Sequence, residues 1–143
     1  MPKSLPFLLA EDDLVDVKTV KRAFNQYNLA NPLYVVANGA EALAFLRRQG
    51  AYAEPADAPR PGLILLDLNM PVMSGLEFLQ AVKNDDDLRS IPVIVLTSSK
   101  EESDLIASYE LSVAGYIVKP VDFKKFLDVV RALDAYWSLC ELP

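Results

Sequence analysis

The feature that most constrains this chain is an alternation. Short, nearly unbroken apolar runs are each followed by a longer stretch whose apolar residues recur at helical spacing. Leu5-Pro6-Phe7-Leu8-Leu9-Ala10 reads as a first strand, after which Val17, Val20, Phe24 and Tyr27 mark one helical face. Residues 33–37 read as a second strand. Asn38 and Glu41 then form a capping-box pair ahead of a helix carrying Leu43 and Leu46. Residues 62–66 give a third strand, and Ser74 with Glu77 opens a helix bearing Leu76, Leu79 and Val82. Residues 91–96 give a fourth strand, with Ser99 and Glu102 capping a helix lined by Leu105, Ile106 and Tyr109. Residues 114–118 give the fifth, and Asp122 caps a last helix whose face carries Phe126, Val129, Val130 and Leu133.

A strand-helix unit repeated this way has one economical solution. Successive strands lie parallel, and right-handed crossovers place helices on both faces of the sheet. Strands three and four are apolar throughout, as expected where both faces are covered. The fold class is therefore α/β, a doubly wound parallel sheet. A chain of 143 residues fits one such domain, spanning 1–143. Two segments stand outside the repeat: a Pro/Ala-rich surface insert at 50–61 and an apolar tail at 136–143. Because the chain stops soon after the fifth helix, no output domain is expected beyond it.

Composition removes several kinds of chemistry. The net charge of −6 leaves no basic excess to neutralise a nucleic-acid backbone. No histidine is present, so histidine metal sites and Ser-His or Cys-His nucleophile pairs are excluded. A single cysteine, Cys140, forbids an internal disulfide. No apolar run approaches a membrane span or a signal-peptide core, so a cytoplasmic location without membrane contact is expected.

In an open parallel sheet, ligands bind beyond the carboxyl ends of the strands. Strand one ends in Glu11-Asp12-Asp13, strand three in Asp67 followed by Leu68-Asn69-Met70-Pro71, strand four in Thr97, and strand five in Lys119-Pro120. These ends would share one rim. Clustered carboxylates repel unless a cation sits among them. Mg²⁺ suits Glu11, Asp12 and Asp67, with a backbone carbonyl near Asn69. A carboxylate can also attack phosphorus, while Lys119 and the Thr97 hydroxyl meet the phosphoryl oxygens. Asp13 is read as a helix cap. Asp85-Asp86-Asp87 is read as a solvated loop.

Taken together, Glu11-Asp12, Asp67, Thr97 and Lys119-Pro120 resemble the response-regulator receiver family in order and in strand position. That resemblance covers residues 5 to about 133. It implies a flavodoxin-like sheet of order 2-1-3-4-5, Asp67 as phospho-acceptor, Thr97 and Tyr116 as a switch pair, and a cis peptide at Pro120. It also implies a histidine kinase as donor. The insert ending in Pro59-Arg60-Pro61, the run 65–71, Lys119-Pro120-Val121-Asp122-Phe123 and the tail with Tyr136-Trp137 further resemble the stand-alone regulators of cyanobacterial and bacterial phytochromes. The implied partners are then a phytochrome kinase and a second copy of the chain, joined through the strand-four to strand-five face and the tail. A phosphoryl shuttle in a multistep relay is an alternative use of the same site.

Other uses of the fold fit less well. A small-molecule phosphotransferase of this type places a second Asp two residues after the nucleophile, where Asn69 stands, and Asn cannot act as an acid. A nucleotide or flavin binder needs a glycine-rich loop after strand one, where Glu11-Asp12 would repel phosphate. A scaffold that has lost the chemistry would not need the whole set. On this reading the chain is a switch that catalyses only its own phosphorylation and dephosphorylation.

Overall fold

In a computed structural model, residues 5–26, 31–53, 58–97, 104, 106–107, 111–118, 124 and 128 are described. Among them the strands are β1 (Phe7–Ala10), β2 (Leu33–Val36), β3 (Leu63–Asp67), β4 (Val93–Thr97) and β5 (Gly115–Val118). The helices are α1 (Leu14–Gln26), α2 (Gly39–Arg47) and α3 (Gly75–Lys83), with a 3₁₀ turn at Gly50–Tyr52. Residues 104, 106, 107, 124 and 128 are also helical. The strands form one parallel sheet in the order β2-β1-β3-β4-β5, as the resemblance implies.

The period of two along each strand divides the core into two layers. Leu8, Ala10, Ile64, Leu66, Val93 and Val95 face one side, against Phe45 of α2 and Phe78, Leu79 and Val82 of α3. Phe7, Leu9, Leu63, Leu65, Ile94 and Leu96 face the other, against Val17, Val20 and Phe24 of α1. Phe7 and Phe24 meet edge to face with centroids 5.5 Å apart. Every residue of β1 and β3 is buried. Only a strand covered on both faces permits an unbroken apolar run like Leu63-Ile64-Leu65-Leu66.

Several boundaries differ from the sequence expectation. β1 starts at Phe7, because Pro6 has no N–H to enter the ladder and serves only as acceptor for Gly62 N–H. Ile91-Pro92 stays outside β4, where the Pro92 carbonyl accepts from Ile64 N–H. β3 runs one residue further than expected, so Asp67 is itself part of the ladder, paired with Leu96.

Ser74 and Glu77 form the full reciprocal capping box on α3. Asn38 forms half of one. Its side chain accepts from Glu41 N–H at 2.9 Å, while its amide reaches the Glu41 carboxylate instead of leaving that role to the backbone. The acidic loop 85–87 is solvated as expected, with the Asp86 and Asp87 side chains 91% and 86% exposed, and it also carries ion pairs. Asp85 pairs with Arg47 at 3.5 Å, Asp86 with Arg89 at 3.2 Å and Asp87 with Arg60 at 3.7 Å. Arg60 also donates to Asp87 O and Ser90 Oγ, which ties the end of the insert to this loop. Tyr27, the Ser99–Glu102 cap, Leu105, Tyr109, residues 54–57 of the insert, the face carrying Phe126 to Leu133 and the tail lie outside the described residues.

Candidate functional site

The carboxyl ends of β1 and β3 are neighbours in the sheet, with Ala10 paired to Leu66. The next residues along each strand are Glu11 and Asp67. Glu11 extends the backbone pairing toward β2, its N–H donating to Val36 O at 2.9 Å. Both carboxylates are buried, at 2% and 3% exposure, in a core that is otherwise apolar among the described residues. Ionisable groups are rarely buried this far without partners. Asp12, on the β1–α1 connection, is exposed. One carboxylate oxygen from each of Glu11, Asp12 and Asp67 lies within 4.8 Å of the others.

Three carboxylates at this spacing repel one another, and a hard divalent cation with oxygen ligands relieves that repulsion. The donor set is all oxygen, opens to solvent on the Asp12 side, and leaves coordination positions for water. It therefore fits Mg²⁺, which dehydrates reluctantly and is commonly held by few carboxylates. Asp13 plays the other role expected of it. Its side chain accepts from Val15 N–H at 2.8 Å and caps α1. Its own N–H donates to Glu11 Oε2 at 3.2 Å, which helps orient the buried carboxylate.

The loop joining β3 to α3 carries Asn69 and is fixed at several points. Gly75 N–H donates to Leu68 O at 3.0 Å, and Gly39 N–H at the start of α2 donates to Met73 O at 3.0 Å. A Cβ on Gly75 would stand 2.3 Å from Asp67 O and 2.6 Å from Leu68 Cα. Only glycine lets the start of α3 sit against the backbone of the Asp67 strand end. Between these anchors, Met73 N–H reaches back to Pro71 O at 2.7 Å, and the enclosed residue, Val72, has φ 65°. That is a γ-turn of the rarer, strained hand.

The remaining expected residues are placed unevenly. Thr97 ends β4 and pairs in register with Val118, which puts its backbone on the same rim as Asp67; its side chain lies outside the described residues. Lys119 and Pro120 also lie outside them, directly after the last residue of β5. Tyr116 sits on β5 opposite Val95, 39% exposed. Its hydroxyl is pushed above its ordinary pKa, first by partial burial and then by the negative charge of Asp104. Gly75, Gly39 and Val72 were not singled out by sequence pattern. Their roles depend on how closely two loops approach, and the only local hint is Pro71 ahead of Val72.

The comparisons agree with this arrangement. The family model described as response regulator receiver domain matches residues 7–131. The response regulator Rcp1 of Synechocystis sp. is 41% identical over 130 residues, covering 91% of this chain and 86% of its own. Its Mn²⁺-bound structure superposes with a TM-score of 0.76 at 39% identity, covering 97% and 99% of the two chains. The bacteriophytochrome response regulator RtBRR superposes with a TM-score of 0.85 at 44% identity, covering 98% of this chain and 84% of that one. The phosphorylated cyanobacterial phytochrome response regulator RcpA gives 0.77 at 37% identity, covering 98% and 99%.

Proposed function

The chain belongs to the response regulator receiver domain family, and on that premise we propose that Asp67 accepts a phosphoryl group from a phytochrome-type histidine kinase. The observation that carries this reading is the convergence of Glu11, Asp12 and Asp67 at the ends of adjacent strands. Asp67 supplies the nucleophile. Its carboxylate oxygen attacks phosphorus, the phosphorus–nitrogen bond of the donor phosphohistidine breaks, and the electron pair leaves with the imidazole. The product is an acyl phosphate on Asp67 and an unmodified histidine on the donor.

Glu11, Asp12, Asp67 and the Asn69 carbonyl hold Mg²⁺ in this reading. Bound there, the ion neutralises charge on the phosphoryl oxygens and lets carboxylate and phosphate approach. Lys119 and Thr97, at the ends of β5 and β4, give a phosphoryl oxygen a cation and a hydroxyl donor. The chain catalyses only its own phosphorylation and dephosphorylation. A phosphoryl group adds roughly −1.5 to −2 charges at Asp67. Thr97 moves toward that charge, Tyr116 turns inward from its exposed position on β5, and the β4–β5 face changes shape. That face, with the apolar tail, joins two copies of the chain.

Support for a phytochrome donor comes from RtBRR and RcpA, a bacteriophytochrome and a cyanobacterial phytochrome response regulator that resemble the chain over nearly its whole length. The Mn²⁺-bound form of Rcp1 supports the metal. The test is intact-mass detection of phosphorylation by a phytochrome kinase, with and without Mg²⁺, for the native chain and Asp67→Asn. A Mg²⁺-dependent adduct on the native chain alone is expected. Labelling of Asp67→Asn at another carboxylate would overturn the assignment. Labelling by acetyl phosphate but not by the kinase would overturn the donor alone.

A further inference from the structure

The acids that follow α3 are each matched by an arginine: Asp85 by Arg47, Asp86 by Arg89 and Asp87 by Arg60. Lys83, in the last turn of the helix, has no such partner. Its Nζ donates to the backbone carbonyl of Arg89 at 3.2 Å, and it forms no ion pair among the described residues. The side chain is half-buried and follows directly on Val82, on the buried face of α3. The chain turns back over this helix end, with Asp85 N–H donating to Val82 O and Leu88 buried beyond it. A carbonyl dipole compensates an ammonium less than a carboxylate does, and partial burial removes water that would make up the difference. Burial accordingly holds the Lys83 amine below the ordinary lysine value of 10.5.

Only the free amine of a lysine is a nucleophile, and a lysine that loses charge readily on burial is the kind that chemistry modifies. We propose that Lys83 is an acylation site of this chain: with a carbonyl where its neighbours have carboxylates, its amine takes an acyl group from an acyl phosphate ahead of exposed lysines. The ammonium first gives one proton to water. The nitrogen then attacks the carbonyl carbon and a nitrogen–carbon bond forms. The carbon–oxygen bond to phosphate breaks, the electron pair leaves with the phosphate, and the nitrogen gives a second proton to water. The product is a neutral amide with one N–H left for Arg89 O. It removes a cation from the C-terminal turn of α3, where positive charge is favourable. The site is separate from the carboxylate cluster and does not depend on how that cluster is read.

The test applies acetyl phosphate to the full chain without Mg²⁺ and follows acetyl-lysine at short times by peptide mass mapping. Lys18 and Lys21, exposed on α1, are the internal reference. At neutral pH Lys83 is expected to be acetylated roughly fivefold faster than either. The excess should shrink as the pH rises toward 10.5, where the reference amines lose their protons as well. Lys83→Arg keeps the charge, should melt with the native chain, and should take up correspondingly less acetyl in total. Equal rates at the three lysines at neutral pH overturn the proposal, and so does undiminished total uptake by Lys83→Arg. An excess that does not vary with pH also overturns it, because the selectivity then comes from access and not from the uncompensated amine.

Discussion

Gly75→Ala tests whether the β3–α3 contact is as close as the geometry says. The new Cβ would meet Asp67 O at 2.3 Å, Leu68 Cα at 2.6 Å and Asp67 C at 3.0 Å, all of them backbone atoms. A carbon–oxygen contact is comfortable at about 3.3 Å, so the start of α3 must retreat by about 1 Å. Forcing a methyl into such a contact costs about 1–3 kcal/mol. The retreat also stretches the 3.0 Å bond from Gly75 N–H to Leu68 O, which contributes about 1 kcal/mol. Alanine's better helix propensity offsets up to about 1 kcal/mol. A net loss of about 2 kcal/mol follows, read as a fall in melting temperature of roughly 4–8 °C for a chain of this size. Urea denaturation checks the free energy, with the denaturant slope unchanged.

Because one clashing atom is the carbonyl of Asp67, the same substitution should slow Mg²⁺-dependent phosphorylation. Gly39→Ala is the comparison, since its Cβ would press on Met73 Cγ and O at 2.8 Å, at the far end of the Asn69 loop, and on no atom of Asp67. Its expected effect is on stability, with a smaller one on labelling. Equal stability of Gly75→Ala and the native chain would refute the reasoning about the helix–strand contact. Equal slowing by the two substitutions would refute the link to Asp67.

Tyr116 should titrate above the ordinary tyrosine value of 10.0, and Asp104→Asn should bring it part of the way back, since burial is the larger cause. Ring resonances followed through an alkaline titration check this. The sign for stability follows: Tyr116's contribution is complete below the unfolded value and is lost as pH rises through the higher folded one. Removing the chain from Trp137 onward should lower the mass in solution if the tail joins two copies, and sedimentation with an unchanged mass would refute that.

The sheet was legible because burial on both faces writes itself into a strand as an unbroken apolar run. Leu63-Ile64-Leu65-Leu66 admits few other readings. The convergence of the carboxylates was legible because the ends of neighbouring parallel strands share one rim, and Glu11, Asp12 and Asp67 meet there. Boundaries shifted where a proline withholds a hydrogen-bond donor, as at Pro6 and Pro92. The pairing of Asp85, Asp86 and Asp87 with three arginines was not legible, since Arg47 and Arg60 reach that loop only after the chain has folded. Gly75 and Val72 stayed hidden for a related reason. A close approach between two backbone segments leaves little trace in the pattern of side chains around it.

The pairing of Ala10 with Leu66 carries a consequence for how such a site can vary. Glu11 and Asp67 extend from neighbouring strands at the same level, so the separation of their backbones is inherited from the inter-strand repeat of about 4.8 Å. No choice of side chain alters that repeat. Charge at the centre can be changed only in whole steps, by exchanging one residue type for another, while the backbone separation of the two positions behaves as a constant of the polypeptide. Gradual adjustment is left to the parts that the sheet does not dictate: the loops at the rim, where one residue more or less, or a stiffer one, changes how long an ion or a phosphoryl group stays.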